Sequence, residues 1–355
     1  LFKATNLVFE SWPVQGAVKT HSANAAITDS AASGTAMATG HKVNNGVISL
    51  AMPGDGREYE TLLEFAKRRG KRVGLVTSTA MTHATPAAFG AHENSRYNYA
   101  DIAHDYLLRS RPHVLFGGGG AGMTYGAAIT QGYAVVTDRI EMQGLTNTVT
   151  YASAQFGTGH LPYEYDGLGD LPHLSEMTQT ALDLLDGGTN GFFLMVEGGR
   201  IDHACHANDI ARCVREVVAL DAAVQVAVDW MGSATNTLLI VTADHETGGL
   251  TVTNDNGAGV EPGVTWSSTH HTPTNVPAFA VGPGATGLTG VIDNTEVYRA
   301  IMRAVPVPTQ ATAVLSSAEG FQMTWDARPD DVFQLESSPS VVHTNWTPIA
   351  TVTAS

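Results

Sequence analysis

The sequence predicts an α/β fold, a three-layer sandwich in which a mainly parallel central sheet is flanked by helices. Three features lead there. Apolar runs such as Val73-Gly74-Leu75-Val76-Thr77 and Phe192-Phe193-Leu194-Met195-Val196 lack polar alternation, as strands covered on both faces do. Such runs follow stretches with helical apolar spacing, so helix and strand alternate along the chain. None approaches the roughly 20 residues that span a bilayer, so these are core elements.

The first unit is a helix over Tyr59 to Arg69, with Leu62, Leu63, Phe65 and Ala66 at helical spacing and Gly70 as its stop, leading into the strand from Val73. Between Gly117 and Asp170 the periodicity weakens and glycines accumulate, which predicts a surface insertion near the sheet edge. Its run Gly117-Gly118-Gly119-Gly120 has no Lys-Ser/Thr pair behind it, so a strand-end turn is expected rather than a phosphate cradle. A helix over Ser175 to Leu185 precedes the strand from Phe192, and a helix over Ala207 to Met231 precedes Thr237-Leu238-Leu239-Ile240-Val241. The strand Pro277 to Val281 and a helix from Thr295 to Ala304 follow. After Pro306 and Pro308 the pattern becomes antiparallel β: Phe321, Met323 and Trp325 alternate, then come Val332 to Glu336, Trp346 and Ile349. One large domain over 1–308 and an incomplete C-terminal β module over 309–355 are therefore expected.

Charge narrows the partners. With 19 basic and 34 acidic side chains the formal balance is −15, which disfavours a nucleic-acid backbone or an anionic membrane. A small anionic substrate remains compatible, because metal ions and one arginine can reverse the potential inside a pocket. The chain opens at Leu1 without an initiator methionine, so its natural start is expected upstream. Cys205 and Cys213, eight apart in a stretch read as one helix, would have Cα atoms about 12 Å apart by helical rise, too far for a bridge.

Metal-binding side chains end several strand-like runs. Glu197 closes Val196 and is followed by Asp202 and His206, four apart and hence on one helix face; Asp244-His245 closes Val241-Thr242-Ala243; His270 and His271 lie in a later loop, equal candidates on spacing. Carboxylates with imidazoles suit zinc, and strand ends converge at one edge of a parallel sheet. Ser30, before a run of small residues, is either a helix cap together with Asp29 or a hydroxyl that a metal makes nucleophilic. Arg96 alone reads as a surface residue.

Taken in order, Thr28-Asp29-Ser30-Ala31-Ala32-Ser33, Ala84-Thr85-Pro86-Ala87-Ala88 with Arg96, Glu197-Gly198-Gly199-Arg200-Ile201-Asp202-His203 with His206, Thr242-Ala243-Asp244-His245-Glu246, and His271-Thr272 resemble the alkaline phosphatases over roughly residues 1–305. The resemblance implies hydrolysis of small phosphate monoesters through a phosphoserine on Ser30, with two zinc ions and one magnesium. Asp244 and His245 would hold one zinc; Asp202, His206 and His271 the other, His271 being chosen because the family's histidine directly precedes threonine. Glu197 and Thr85 would serve magnesium, and Arg96 would grip the phosphate. Asp29, His83 and His203 would stand behind these groups, the two histidines tuning metal preference or pH optimum. Cys205 would be a buried small residue rather than a ligand. The family also implies a periplasmic or extracellular location and admits a homodimer. One departure stands out. The family's Asp-Gly-Met turn, whose aspartate bridges a zinc and the magnesium, has no counterpart before Asp29. The catalytic domain is thus expected to lack its first strand, and this chain to be weakly active or a metal- or phosphate-binding remnant.

Overall fold

In the computed structural model the residues described are 6–257, 259–305 and the strands 312–316, 320–324, 332–337 and 347–353. In chain order the strands of the first part are β1 (Val14–Lys19), β2 (Arg72–Ala80), β3 (Val114–Gly118), β4 (Ala134–Val136), β5 (Ala152–Gln155), β6 (Phe192–Glu197), β7 (Leu239–Thr242), β8 (Glu246–Thr247), β9 (Thr251–Asn254), β10 (Gly263–Thr265), β11 (His271–Thr272), β12 (Val276–Val281) and β13 (Gly290–Asp293). The α-helices are α1 (Ser30–Thr39), α2 (Leu62–Arg68), α3 (Ala84–Gly90), α4 (Tyr99–Asp105), α5 (Tyr125–Thr130), α6 (Arg139–Gln143), α7 (Leu174–Leu185), α8 (Arg200–His206), α9 (Ile210–Met231) and α10 (Thr295–Ala304).

Five parallel strands form one sheet in the order β4-β5-β3-β2-β6. A second sheet runs β13-β1-β12-β7, with β12 antiparallel to both β1 and β7. Helices cover both faces of the five-stranded sheet, and the period of two in β2 dictates which. Leu75 faces Gly90 of α3, whereas Val76 packs with Val114, Phe116, Met177 and Leu184 on the α7 side. The long helix α9 serves both sheets: Leu220 and Ala223 join the α7 cluster, and Val224 and Val228 pack against Leu239 and Val241 of β7. No helix among the described residues is long and apolar enough to cross a membrane.

Several expectations need correction. The stretch 117–170 is not a mere insertion, because it supplies β4 and β5, the outer strands of the parallel sheet. Its strands are too short to register as apolar runs. β1 carries a glycine at position 16 inside a short run and escaped the pattern; a Cβ there would lie 2.1 Å from the Leu288 carbonyl oxygen, so only glycine fits. The glycine run at 117 does close a strand, and a Cβ on Gly118 would lie 1.6 Å from the Gly159 carbonyl oxygen. The helix read from Ala207 begins at Ile210, after the separate helix α8; Asn208 turns through φ 54° and Asp209 caps the new start by accepting from Arg212 N at 3.1 Å.

The chain divides into two compact units, residues 1–300 and 301–355, where the sequence reading put the boundary at 308. In the second, β14 (Thr312–Ser316) pairs antiparallel with β15 (Gly320–Thr324), and β16 (Val332–Ser337) with β17 (Thr347–Thr353). Pro306, Pro308, Trp325 and Trp346 lie outside the described residues.

One part-buried pair makes stability depend on pH. Glu64 closes the capping box of α2 by accepting from Thr61 N at 3.0 Å, and its other oxygen lies 2.9 Å from Nε2 of His92. Burial alone would lower the His92 pKa and raise that of Glu64, but their contact outweighs burial, raising His92 and lowering Glu64. The His92 contribution is fully present below the imidazole's unfolded pKa near 6.5 and fades as pH rises through its raised folded value. The Glu64 contribution is present above about 4.5 and fades as pH falls through its lowered folded value. The stability lost in His92→Gln, from paired melting curves across pH 4 to 9, should therefore be greatest at about pH 5–6.5 and smaller at alkaline pH. A pH-independent difference would refute the coupling.

Candidate metal centre and nucleophile

Strand ends and two helix starts bring the chemistry together. β6 ends at Glu197, and Gly198-Gly199 then turns the chain into α8; a Cβ on Gly199 would lie 2.5 Å from Thr79 Cγ2 and 2.8 Å from the Glu197 carboxyl, so a larger residue would displace both side chains. Helical spacing in α8 sets Asp202 and His206 on one face, with His206 Nε2 3.3 Å from Asp202 Oδ1. β7 delivers Asp244 and His245 two and three residues beyond its end at Thr242. The β8–β11 pairing sets His271 opposite Thr247, and Glu246 fixes that loop by accepting from Gly249 N at 2.9 Å and from the Thr272 hydroxyl.

The ligand atoms of Asp202, His245 and His271 all lie within 4.8 Å of one another. His206 Nε2 is 3.1 Å from His271 Nε2, and His271 Nε2 is 3.6 Å from Asp202 Oδ1. His245 Nε2 lies 3.1 Å from Asp244 Oδ2 and 3.0 Å from Ser30 Oγ. Ligands about 2.0–2.1 Å from a tetrahedral ion sit roughly 3.3 Å from each other, close to these spacings.

The opposite ring nitrogens decide what the Nε2 atoms can do. His206 Nδ1 donates to the Thr269 carbonyl at 2.6 Å and His271 Nδ1 to the Thr28 carbonyl at 2.8 Å. The Thr247 hydroxyl donates to Asp202 Oδ1 at 2.6 Å, leaving its oxygen to accept from His245 Nδ1 at 3.2 Å. When uncharged, all three imidazoles therefore turn lone pairs toward one another and toward two carboxylates. Such a cluster demands positive charge at its centre, as protons or as a metal ion. The acidities agree. Burial would raise the Asp202 carboxyl, but His206 and His271 hold it far below the usual range; burial is likewise outweighed at Asp244 by His245. His206 is raised by Asp202, and His245 by Asp244 against the pull of burial. The donor set fits zinc.

A second cluster suits a harder cation. Burial lifts the Glu197 carboxyl to about 7 despite hydrogen bonds from Thr77 and Thr79 and an interaction with Thr85, and the neighbouring Asp244 charge adds to the rise. A carboxylate among hydroxyls matches magnesium's preference for oxygen. Beside it stand His83, His203 and a histidine the sequence reading passed over, His160; their ring centroids are 4.5–5.4 Å apart. Arg200 Nη1 donates to His203 Nδ1 at 2.8 Å. Burial and the cations around them push His83 down to about 3 and His203 to about 4, so both stay neutral and accept from the arginines. His83 Nδ1 is buried without a hydrogen-bond partner among the described residues.

Ser30 is the first residue of α1, which Asp29 caps by accepting from Ala32 N at 3.0 Å. Of the two residues offered as a cap, Asp29 is the one that caps α1. Ser33 ties the helix to β7 by donating to the Asp244 carbonyl at 2.7 Å. Arg96 is not a free surface residue: Nη1 donates to Asp29 Oδ2 at 3.0 Å and Nη2 to His83 Nε2 at 3.4 Å. His271 lies in the cluster with Asp202 and His245, while His270 is exposed.

The profile of the alkaline phosphatase family matches residues 1–128 and 123–264. The chain belongs to the alkaline phosphatase family. Alkaline phosphatases are phosphoric monoester hydrolases and metal-dependent. Alkaline phosphatase 3 of Bacillus subtilis is 32% identical over 360 residues, which cover 79% of this chain and 77% of the relative. Alkaline phosphatase 4 of the same organism is 38% identical over 237 residues, but the chain spans only 50% of its length. Among solved structures, a cold-active alkaline phosphatase from a Shewanella species superposes with a TM-score of 0.78 at 30% identity, covering 86% of this chain and 93% of that one. The alkaline phosphatase of the Antarctic bacterium TAB5 gives 0.77 at 29% identity, covering 86% and 91%. A variant of the TAB5 protein carries magnesium in its M3 site.

Proposed function

We propose that this alkaline phosphatase chain hydrolyses small phosphate monoesters through a phosphoserine on Ser30. The observation that carries the reading is Ser30 Oγ 3.0 Å from His245 Nε2, at the rim of a cluster of imidazoles and carboxylates that demands cations. Asp202, His206 and His271 would hold one zinc, Asp244 and His245 a second, and Glu197 with Thr85 a magnesium. When bound, these ions would lower the pKa of the serine hydroxyl and of water and offset charge on the attacking and leaving oxygens.

The chain's own residues do the rest. Ser30 Oγ attacks phosphorus, and its position on the first turn of α1 aims unpaired backbone amides at the incoming anion. Arg96 presents a planar fork to two phosphate oxygens while Asp29 and His83 fix its orientation. Thr247 sets the tautomer of His245 and orients Asp202 together. The chemistry is assigned to residues 1–308, and the family supports a periplasmic or extracellular setting and admits a homodimer.

The test is turnover of a chromogenic phosphate monoester at alkaline pH with zinc and magnesium added, together with mass spectrometry of peptides from an acid-quenched reaction. Phosphate on the peptide containing Ser30 is expected. Bound zinc with neither turnover nor label would instead favour the metal- or phosphate-binding remnant.

A further inference from the structure

The chain contains two cysteines, and the break between α8 and α9 brings them together. Residues 207–209 reverse the chain: Asn208 N donates to the Cys205 carbonyl at 2.9 Å and Asp209 N to that of Ala204 at 3.0 Å. Cys205 Sγ and Cys213 Sγ then lie 3.2 Å apart. The reading that helical rise keeps them apart is overturned, because the two residues sit on different helices. Both are buried, at 7% and 6% exposure, and pack with Ala204, Tyr163, Ile201 and Trp266.

We infer that Cys205 and Cys213 join as a disulfide that staples α8 to α9. Closing 3.2 Å to the S–S bond length of about 2.05 Å takes a sulfur movement of about 1.1 Å, within the reach of side-chain rotation. Each thiol loses its hydrogen, the two sulfurs bond, and the two electrons and two protons pass to a disulfide oxidant such as oxidised glutathione, which leaves as two thiols. Because both sulfurs are buried, the bond forms as the chain folds, and reductants reach it slowly afterwards. The closed loop is short, running from 205 to 213, and it contains His206. The staple therefore fixes α8, which carries Asp202 in its first turn and His206 at its end, onto α9, the helix that packs on both sheets. Where the Proposed function holds, it also steadies two metal ligands.

The test folds the full chain in a buffer of oxidised and reduced glutathione, then counts free thiols in denaturant and maps peptides without reduction. No free thiol and one linked peptide, lighter than the sum of its parts by two hydrogens, are expected. The melting temperature should fall by roughly 5 °C after reduction in denaturant and refolding with reductant present, and Cys213→Ser should show no such response. Two free thiols per chain, or linkage only between chains, would overturn the inference. Neither readout depends on turnover, so a failed phosphatase assay leaves this result standing.

Discussion

Ser30→Ala is expected to lower kcat by roughly 10⁴-fold while leaving the fold and its metal content intact. The hydroxyl is a small part of the structure: among the described residues Ser30 Oγ makes one hydrogen bond, to His245, and the cap of α1 is held by Asp29. Alanine is a good helix former, so α1 persists. On the proposed mechanism, what disappears is the attacking oxygen, and with it any covalent phosphate. The measurement pairs steady-state kinetics with metal analysis and the acid-quench label. Unchanged zinc with lost turnover and lost label fits the nucleophile; a variant that keeps more than a tenth of the wild-type rate removes Ser30 from that role.

Asp202→Asn should weaken zinc binding by at least about 100-fold. The carboxylate faces His206 at 3.3 Å and His271 at 3.6 Å and accepts from Thr247 at 2.6 Å. An amide of the same shape removes the negative charge and presents either a weaker acceptor or an N–H to those lone pairs. Zinc titration against a competing chelator reads the affinity directly. Turnover should return in part at high zinc, which a folding defect would not allow. Equal zinc affinity in the variant and the parent would displace Asp202 from the centre.

How much of this was readable beforehand depended on what each segment shows to solvent. Helices with a dry face and a wet one, such as α2 and α7, announce themselves through spacing, and both lie within a residue or three of where the pattern put them. The division between α8 and α9 left no such trace. Its left-handed residue is an asparagine rather than a glycine, and apolar spacing runs on across it. That one unread turn also hid the approach of the two cysteines. In the site, the clustered residues were legible because a strand core seldom ends in Asp-His. Thr247 and His160 were not, since threonine is common in strands and a histidine after glycine suggests a loop. Their importance comes from partners 45 and 80 positions away in the chain, Asp202 and Ala80.

The helix behind Ser30 has a consequence for anyone wishing to redesign the protein. All ten residues of α1 are buried, and a Cβ on Gly34 would sit 3.0 Å from that of Ala88 in α3. With the helix buried along its whole length, enlarging a side chain there costs about 1–3 kcal/mol before any benefit to the reaction. Tailoring of substrate preference therefore has little latitude at the nucleophile's own helix. It has to enter at exposed positions beside Arg96 and His271, such as Tyr97 and His270, where side chains face solvent rather than the core.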